Sequence, residues 1–155
     1  MEFEEAKKIL LDRMDDHLYM VLATCAQDMP LACTMTCVVI DGDIYMQTDS
    51  TFPKCEQIRQ NPHVALCSGS LNMEGVASFA GPPAEAAEGR FAQLFSRYYP
   101  DSYQLYAGVS TEVVIRVQIT HAVDWLYEKG ASEMLEIDFL KQEAHFAHYE
   151  NALTK

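Results

Sequence analysis

The sequence is poor in basic residues. Its 155 residues include 11 Lys and Arg against 23 Asp and Glu, a formal net charge of −12. Such an excess of negative charge argues against nucleic acid and anionic membrane surfaces as partners, because both would repel the chain. A small phosphorylated ligand stays possible, since the local donors of a site decide that affinity.

The sequence lacks the motifs of several common nucleotide-binding, membrane-bound and secreted proteins. The chain has no Gly-x-Gly-x-x-Gly and no Walker-type glycine loop, which excludes the dinucleotide and nucleotide-triphosphatase kinds of phosphate site. No apolar run is long enough to span a bilayer, and the acidic start has no signal-peptide core. The five cysteines are odd in number and form no Cys-x-x-Cys pair, which indicates buried thiols in a reducing compartment. We therefore expect a soluble, cytoplasmic protein.

Recognisable catalytic and metal-binding patterns are also missing. No Ser-His-Asp, Cys-His or paired-carboxylate arrangement can be read from the order of residues, so we nominate no catalytic residue. His145 and His148 would share one face of a predicted C-terminal helix, at a spacing that suits a metal ion. Because no third ligand lies nearby, we interpret them as a solvated helix face and predict no metal site.

The hydrophobic content of 49% and the length predict a single globular domain over residues 1–155. Apolar residues alternate or recur at helical spacing along the chain. They predict helices over residues 3–16, 53–60, 84–98 and 137–152, and strands over 18–26, 31–40, from 44, 63–68, 76–80 and 112–120, the last continuing over 122–127. Residues 69–75 are expected to form a loose connection. Hairpins with a few helices indicate a mainly β, α+β fold built on a closed or nearly closed antiparallel barrel.

The junction after the third strand carries the strongest functional signal. Thr48, Thr51, Pro53 and Lys54 lie where this strand gives way to a helix. The first turn of a helix presents unpaired N–H groups and a partial positive charge, and hydroxyl groups and an ammonium add further donors. A phosphate-bearing ligand is therefore the first hypothesis. The alternatives are a strand-end threonine, a helix-capping threonine and a solvated lysine.

Over residues 5–128 the chain resembles the pyridoxamine 5′-phosphate oxidase-like, FMN-binding split-barrel superfamily. The resemblance begins at Ala23-Thr24 leading into Pro30. It continues through the pattern Asp41-Gly42…Tyr45-x-x-Thr48…Lys54-x-x-x-Ile58…Asn61-Pro62-x-Val64-x-Leu66. The segment from the lysine to Asn-Pro is the most specific part, because spacing and residue types both match.

The resemblance implies an antiparallel split β-barrel that forms a homodimer and holds FMN in clefts between the subunits. It places Thr48, Thr51 and Lys54 in the phosphate-binding region. It also places the strand from Cys33 to Thr36, with Thr34, Met35 and Thr36, along the flavin. Trp125 is a further candidate, which would either cover a flavin face or pack in the core.

Two departures from the oxidase affect the proposed phosphate site. Cys33-Thr34 replaces an arginine of the family, and Asp49 adds a negative charge beside the phosphate. Losing a bidentate arginine and gaining a carboxylate weakens phosphate binding by a few kcal/mol unless another cation, such as Arg59 or Arg116, compensates. The arginine-rich ending of the oxidase is also missing after Trp125, so we do not expect pyridoxamine phosphate oxidation.

The sequence thus predicts a flavin-dependent oxidoreductase that acts on an unknown small-molecule redox substrate. Three alternatives remain open: a barrel that binds haem or a deazaflavin, a flavin-storage module without turnover, and a non-catalytic dimer with an empty cleft. Haem would need an axial His, Cys, Met or Tyr ligand, and the five histidines permit this without indicating it.

Overall fold

The computed structural model describes residues 1–128 and 131–150. The strands are β1 His17–Ala26, β2 Met29–Ile40, β3 Asp43–Asp49, β4 His63–Ser68, β5 Leu71–Phe79, β6 Glu112–Glu128, β7 Ala131–Asp138 and β8 Glu143–Glu150. The helices of the described residues are α1 Phe3–Met14, α2 Pro53–Gln60, α3 Arg90–Tyr98 and α4 Pro100–Tyr106, with a 3₁₀ turn at Ala86–Gly89. None of these helices is both long and apolar enough to cross a membrane.

Six strands close into an antiparallel barrel. Their order is β3-β2-β1-β4-β5-β6, and β6 also pairs with β3. The start of β6 closes the barrel, from Glu112 opposite Asp49 to Val117 opposite Ile44. Its distal half leaves the barrel and pairs with β7, which pairs with β8. The predicted split-barrel fold is confirmed.

Two tight hairpin turns set the register of the first three strands. Gln27 and Asp28 join β1 to β2 with φ values of 51° and 61°, and Asp41 and Gly42 join β2 to β3 with 52° and 83°. Positive φ at both central residues is the turn geometry that matches the twist of paired strands. The Asp41-Gly42 turn therefore joins β2 and β3 with the geometry that an antiparallel hairpin needs.

The side chains of β2 alternate between the inside and the outside of the barrel. Met35 and Cys37 belong to the core inside the barrel, which α1 closes with Ala6, Leu10 and Met14. On the opposite face, the buried side chains of the barrel wall are covered by α3 and the residue that follows it. This second cluster contains Val38, Ile40, Tyr45, Phe91, Phe95, Tyr99 and Val114.

The structure corrects the predicted C-terminal helix. Residues 137–150 form the end of β7, a turn and β8, while residues 151 and 152 lie outside the described residues. Strand β7 pairs with distal β6, and its other edge pairs with β8. The backbone groups of that edge stabilise the extended form of residues 143–150, which outweighs a weak helical pattern. On a strand, His145 and His148 point to opposite faces, which removes the shared helical face considered for them.

Two other predicted boundaries also move. The expected loose connection over 69–75 is only a short turn, because β5 begins at Leu71. The helix predicted over 84–98 begins at Arg90, since Ala87 and Glu88 have positive φ and belong to the 3₁₀ turn. Pro100 ends one helix and opens the next, because proline fits the first turn of a helix.

Candidate cofactor-binding site

The loop between β3 and α2 is organised by the carboxylate of Asp49. Its Oδ1 accepts hydrogen bonds from Thr51 N at 2.8 Å and Thr51 Oγ1 at 2.7 Å. Its Oδ2 accepts one from Thr111 Oγ1 at 2.7 Å. These bonds, with Thr51 first, hold the pKa of Asp49 below its ordinary value. Asp49 is therefore ionised at neutral pH, and the hydroxyl of Thr51 is already engaged.

A cavity of about 340 Å³ opens beside this loop, within the range of roughly 300–1,000 Å³ found for small-molecule sites. We call it the Lys54 cavity. The middle of β2, the end of β3, the start of α2, α4 and the start of β6 supply its walls. Its lining residues are Met35, Gln47, Thr48, Asp49, Phe52, Lys54, Ser102, Tyr106, Val109 and Glu112.

Lys54 is the cation of this cavity. Its Nζ lies 3.4 Å from Met35 Sδ and 5.6 Å from the centroid of the Phe52 ring. Among the described side chains, no carboxylate oxygen lies within 4 Å of this ammonium group. A half-buried ammonium without a counter-ion favours an anionic ligand group.

The carboxyl group of Glu112 opposes the binding of an anion in this cavity. Burial, and then the charge of Asp49, raise the pKa of Glu112, while Lys54 lowers it. Two carboxylates and one ammonium therefore line the cavity. This balance favours an anion bound at Lys54 itself and disfavours one spread over the whole lining.

The two arginines considered as compensating cations are engaged elsewhere. Arg59 Nη2 donates to the carbonyl of Ser50 at 2.8 Å, and Arg116 Nε donates to Asp43 at 2.7 Å. Neither arginine lines the Lys54 cavity. The positive charge of the site comes from Lys54 alone among the lining residues.

The structure brings together three of the seven predicted site residues, Met35, Thr48 and Lys54. Thr51 lies on the loop with its hydroxyl turned to Asp49. The remaining three, Thr34, Thr36 and Trp125, do not line the cavity.

Thr34 and Thr36 lie on the outward face of the barrel, because they pair with the exposed Val21 and Tyr19 of β1. Trp125 lies on distal β6, opposite Met134, with its ring 5.7 Å from that of Tyr149. A ligand that contacted the residues of the Lys54 cavity and also Thr34 or Thr36 would have to extend from the cavity to the outer face of the sheet.

The sequence interpretation missed Gln47, Ser102, Tyr106 and Glu112. Gln47 carried one signal, since it is a polar residue directly after the apolar run Ile44-Tyr45-Met46 of a predicted strand. The other three lie 55 or more residues beyond Gln47, and no local pattern links them to β3. Only the closure of the barrel by β3 and β6 places them beside Lys54.

The closed antiparallel barrel, with a lysine at the strand-to-helix junction, defines a split-barrel protein with a candidate anion site. The chain belongs to the pyridoxamine 5′-phosphate oxidase family, whose model matches residues 4–126. None of the curated protein sequences matches it significantly.

Three solved structures illustrate the shared fold. General stress protein 26 of Bacillus anthracis is 21% identical with a TM-score of 0.58, and the alignment covers 79% of this chain and 92% of that one. HutZ, the haem storage protein of Vibrio cholerae, is 16% identical with a TM-score of 0.60, covering 77% and 91%. An F420 reductase is 21% identical with a TM-score of 0.56, covering 72% and 94%. At these identities the likeness shows the fold alone.

Proposed function

We propose that the protein binds FMN, with the phosphate in the Lys54 cavity, and acts as a flavin-dependent oxidoreductase on a small-molecule redox substrate. The observation that carries this proposal is the half-buried ammonium of Lys54, which has no carboxylate partner among the described side chains and lines a ligand-sized cavity at the first turn of α2. Membership of the family and the spacing from Thr48 to Lys54 support it.

The cavity offers a phosphate an ammonium group and a hydroxyl group. Lys54 would pair with the phosphate, and the hydroxyl of the buried Thr48 lies in the same lining. Asp49 directs both carboxylate oxygens to Thr51 and Thr111, which limits its repulsion of an anion. When bound, FMN supplies the redox chemistry, and the chain supplies anchoring and orientation.

We further propose a homodimer that joins the outward faces of two barrels. Tyr19 is 64% exposed and Val21 39% exposed on β1, beside Thr34 and Thr36 on β2, and Ala65 of β4 is also exposed. Exposed apolar side chains in a cluster are typical of a protein interface. A second copy packed on this face would place Thr34 and Thr36 in a cleft between the subunits.

Haem and deazaflavin are the competing cofactors, since a haem storage protein and an F420 reductase share this fold. No histidine lines the Lys54 cavity, so an axial haem ligand there would have to be Met35 or Tyr106. The visible absorption spectrum of the purified protein separates a flavin from haem. A colourless protein that also ignores added FMN would indicate the non-catalytic dimer.

The test of the phosphate site is Lys54→Ala. A charge-assisted hydrogen bond contributes about 1.5–3 kcal/mol, so FMN affinity should fall about tenfold to a hundredfold. Riboflavin, which lacks the phosphate, should bind the parent more weakly than FMN and respond little to the substitution. Both ligands are titrated by fluorescence quenching against the parent and the variant.

The control is Lys8→Ala, which removes the same charge from an exposed pair with Asp12 on α1. It should leave both affinities unchanged. Equal losses for FMN and riboflavin in Lys54→Ala would show that Lys54 acts on the fold or the ring. Unchanged FMN binding would remove Lys54 from the site.

A further inference from the structure

The Lys54 cavity contains a buried hydrogen-bond acceptor without a partner. Gln47 on β3 is 8% exposed, and its Nε2 donates to the carbonyl of Ser102 at 3.2 Å. This bond fixes the orientation of the amide, because the swapped orientation would set two oxygens against each other. Its Oε1 is buried and, among the described residues, has no hydrogen-bond partner.

An acceptor in this position indicates a missing donor. Roughly nine in ten buried polar groups of folded proteins are hydrogen-bonded, and exceptions call for a ligand, an ion or a water molecule. Gln47 belongs to the lining that also contains Lys54. A ligand in this cavity therefore lies against the ammonium group of Lys54 and the side chain of Gln47.

The chemistry of these two groups narrows the ligand. An ionised phosphate offers only acceptors, so it satisfies Lys54 and leaves Gln47 unpaired. Glu112 and Asp49 lie opposite each other on β6 and β3, two residues along β3 from Gln47, and add further acceptors to the lining. The cavity thus combines one cationic donor with several acceptors, which matches a phosphate attached to a chain of hydroxyl groups.

We propose that Gln47 Oε1 accepts a hydrogen bond from a hydroxyl group of the ligand's sugar-alcohol chain, next to the phosphate held by Lys54. This inference rests on the proposed function and makes it more specific. The cavity recognises a ribityl phosphate, which FMN carries. Haem carries carboxylates in place of hydroxyl groups and has no donor for Gln47.

The experiment compares three ligands with two variants. The ligands are FMN, riboflavin and lumiflavin, whose shared ring carries a ribityl phosphate, a ribityl chain and neither group, respectively. Gln47→Met keeps the length of the side chain and removes the acceptor. It should weaken FMN and riboflavin alike, about three- to tenfold, and leave lumiflavin unchanged. Lys54→Ala should weaken FMN alone, so the two variants have different signatures.

Several outcomes would overturn the inference. An equal loss of lumiflavin in Gln47→Met would show that the residue acts through the fold, and unchanged FMN and riboflavin would show that water serves Gln47 Oε1. A parent protein that binds none of the three flavins would overturn the proposed function itself. If the parent protein binds the flavins but Gln47→Met does not weaken FMN and riboflavin selectively, only the role of Gln47 is overturned.

A competition assay on the parent keeps the inference testable if Gln47→Met does not fold. Ribitol 5-phosphate should displace FMN at a concentration at least about tenfold lower than inorganic phosphate, because only the former carries the hydroxyl groups of the sugar-alcohol chain. Equal potency of the two competitors would mean that the cavity recognises the phosphate alone.

Discussion

At the scale of single residues, Asp49 organises the loop between β3 and α2 and also places a negative charge near the proposed phosphate. Its carboxylate accepts three hydrogen bonds, from the backbone and hydroxyl of Thr51 and from the hydroxyl of Thr111. It also places a negative charge in the lining that contains Lys54. The carboxylate of Asp49 therefore stabilises the loop and at the same time lowers the affinity of the cavity for an anion.

Asp49→Asn separates these two roles. The amide oxygen can still accept from Thr51, while the amide nitrogen can donate to the hydroxyl of Thr111. Removing one charge from a partly exposed site should tighten FMN binding about threefold. Riboflavin binding should not change, and isothermal titration of both ligands measures the difference. Tighter binding of riboflavin as well would contradict a purely electrostatic role.

The same variant should alter the response to acid. The pKa of Asp49 in the folded protein lies below its ordinary value of 3.8. Its contribution to stability is therefore complete above that value and is lost as the pH falls through the lower, folded pKa. In urea unfolding, Asp49→Asn should show a smaller loss of stability than the parent on acidification below about pH 4. An identical pH dependence would contradict this assignment.

At the scale of elements, α2 is held on the barrel by the side chain of Gln57. Gln57 Oε1 accepts a hydrogen bond from Thr24 Oγ1 at 2.6 Å, and Nε2 donates to the carbonyl of Met29 at 2.8 Å. Thr24 is 2% exposed, so its hydroxyl depends on this partner. Asn61, just after the helix, donates to the carbonyl of Cys25 at 2.9 Å. Helix α2 is thereby tied to both strands of the β1–β2 hairpin, and with it the position of Lys54.

Gln57→Ala should destabilise the protein by about 1–3 kcal/mol, because it leaves the buried hydroxyl of Thr24 without an acceptor. Chemical denaturation gives the free energy of unfolding. The matched control is Gln60→Ala on the same helix, whose contacts with Gln27 and Glu56 are exposed and which should change stability by less than about 0.5 kcal/mol.

Thr24→Val together with Gln57→Leu should recover part of the loss, since both polar partners are then replaced by apolar groups. A Gln57→Ala variant as stable as the Gln60→Ala control would show that water replaces the missing acceptor.

At the scale of the whole molecule, the outward face of β1, β2 and β4 distinguishes the dimer model from a monomer. The core inside the barrel and the cluster under α3 account for most buried apolar residues, yet Tyr19 and Val21 remain exposed on the outer wall. A two-fold dimer that buries this face uses the same patch on both copies.

Light scattering at micromolar concentration should therefore report about twice the chain mass of 17.5 kDa. Val21→Glu should shift the protein to a monomer, because it places two charges in the interface across the two-fold axis. Leu140→Glu, on a side chain that is 80% exposed in the turn before β8, is the control and should remain dimeric. A monomeric parent would refute the shared-cleft model.

The sequence by itself determined the features that depend on neighbouring residues. The Asp41-Gly42 turn, the bounds of α2 and β4 and the alternation along β2 all follow from local backbone preferences and from side-chain spacing. The strand-to-helix junction with Thr48 and Lys54 is equally local, and these two residues do line one cavity. The order of such elements, with hairpins between helices, was sufficient to predict the barrel.

The tertiary structure alone decided what depends on distant residues. The C-terminal strand β8 joins the sheet because β7, itself paired with distal β6, offers it a free edge, and this pairing overrides its weak helical pattern. Asp49 finds its second partner in Thr111, and the buried amide of Gln47 finds Ser102, only because β6 closes the barrel against β3. Barrel closure also leaves Gln47 Oε1 without a hydrogen-bond partner among the described residues, in the same cavity lining as Lys54. Burial and hydrogen-bond satisfaction are properties of the packed chain and not of residue spacing.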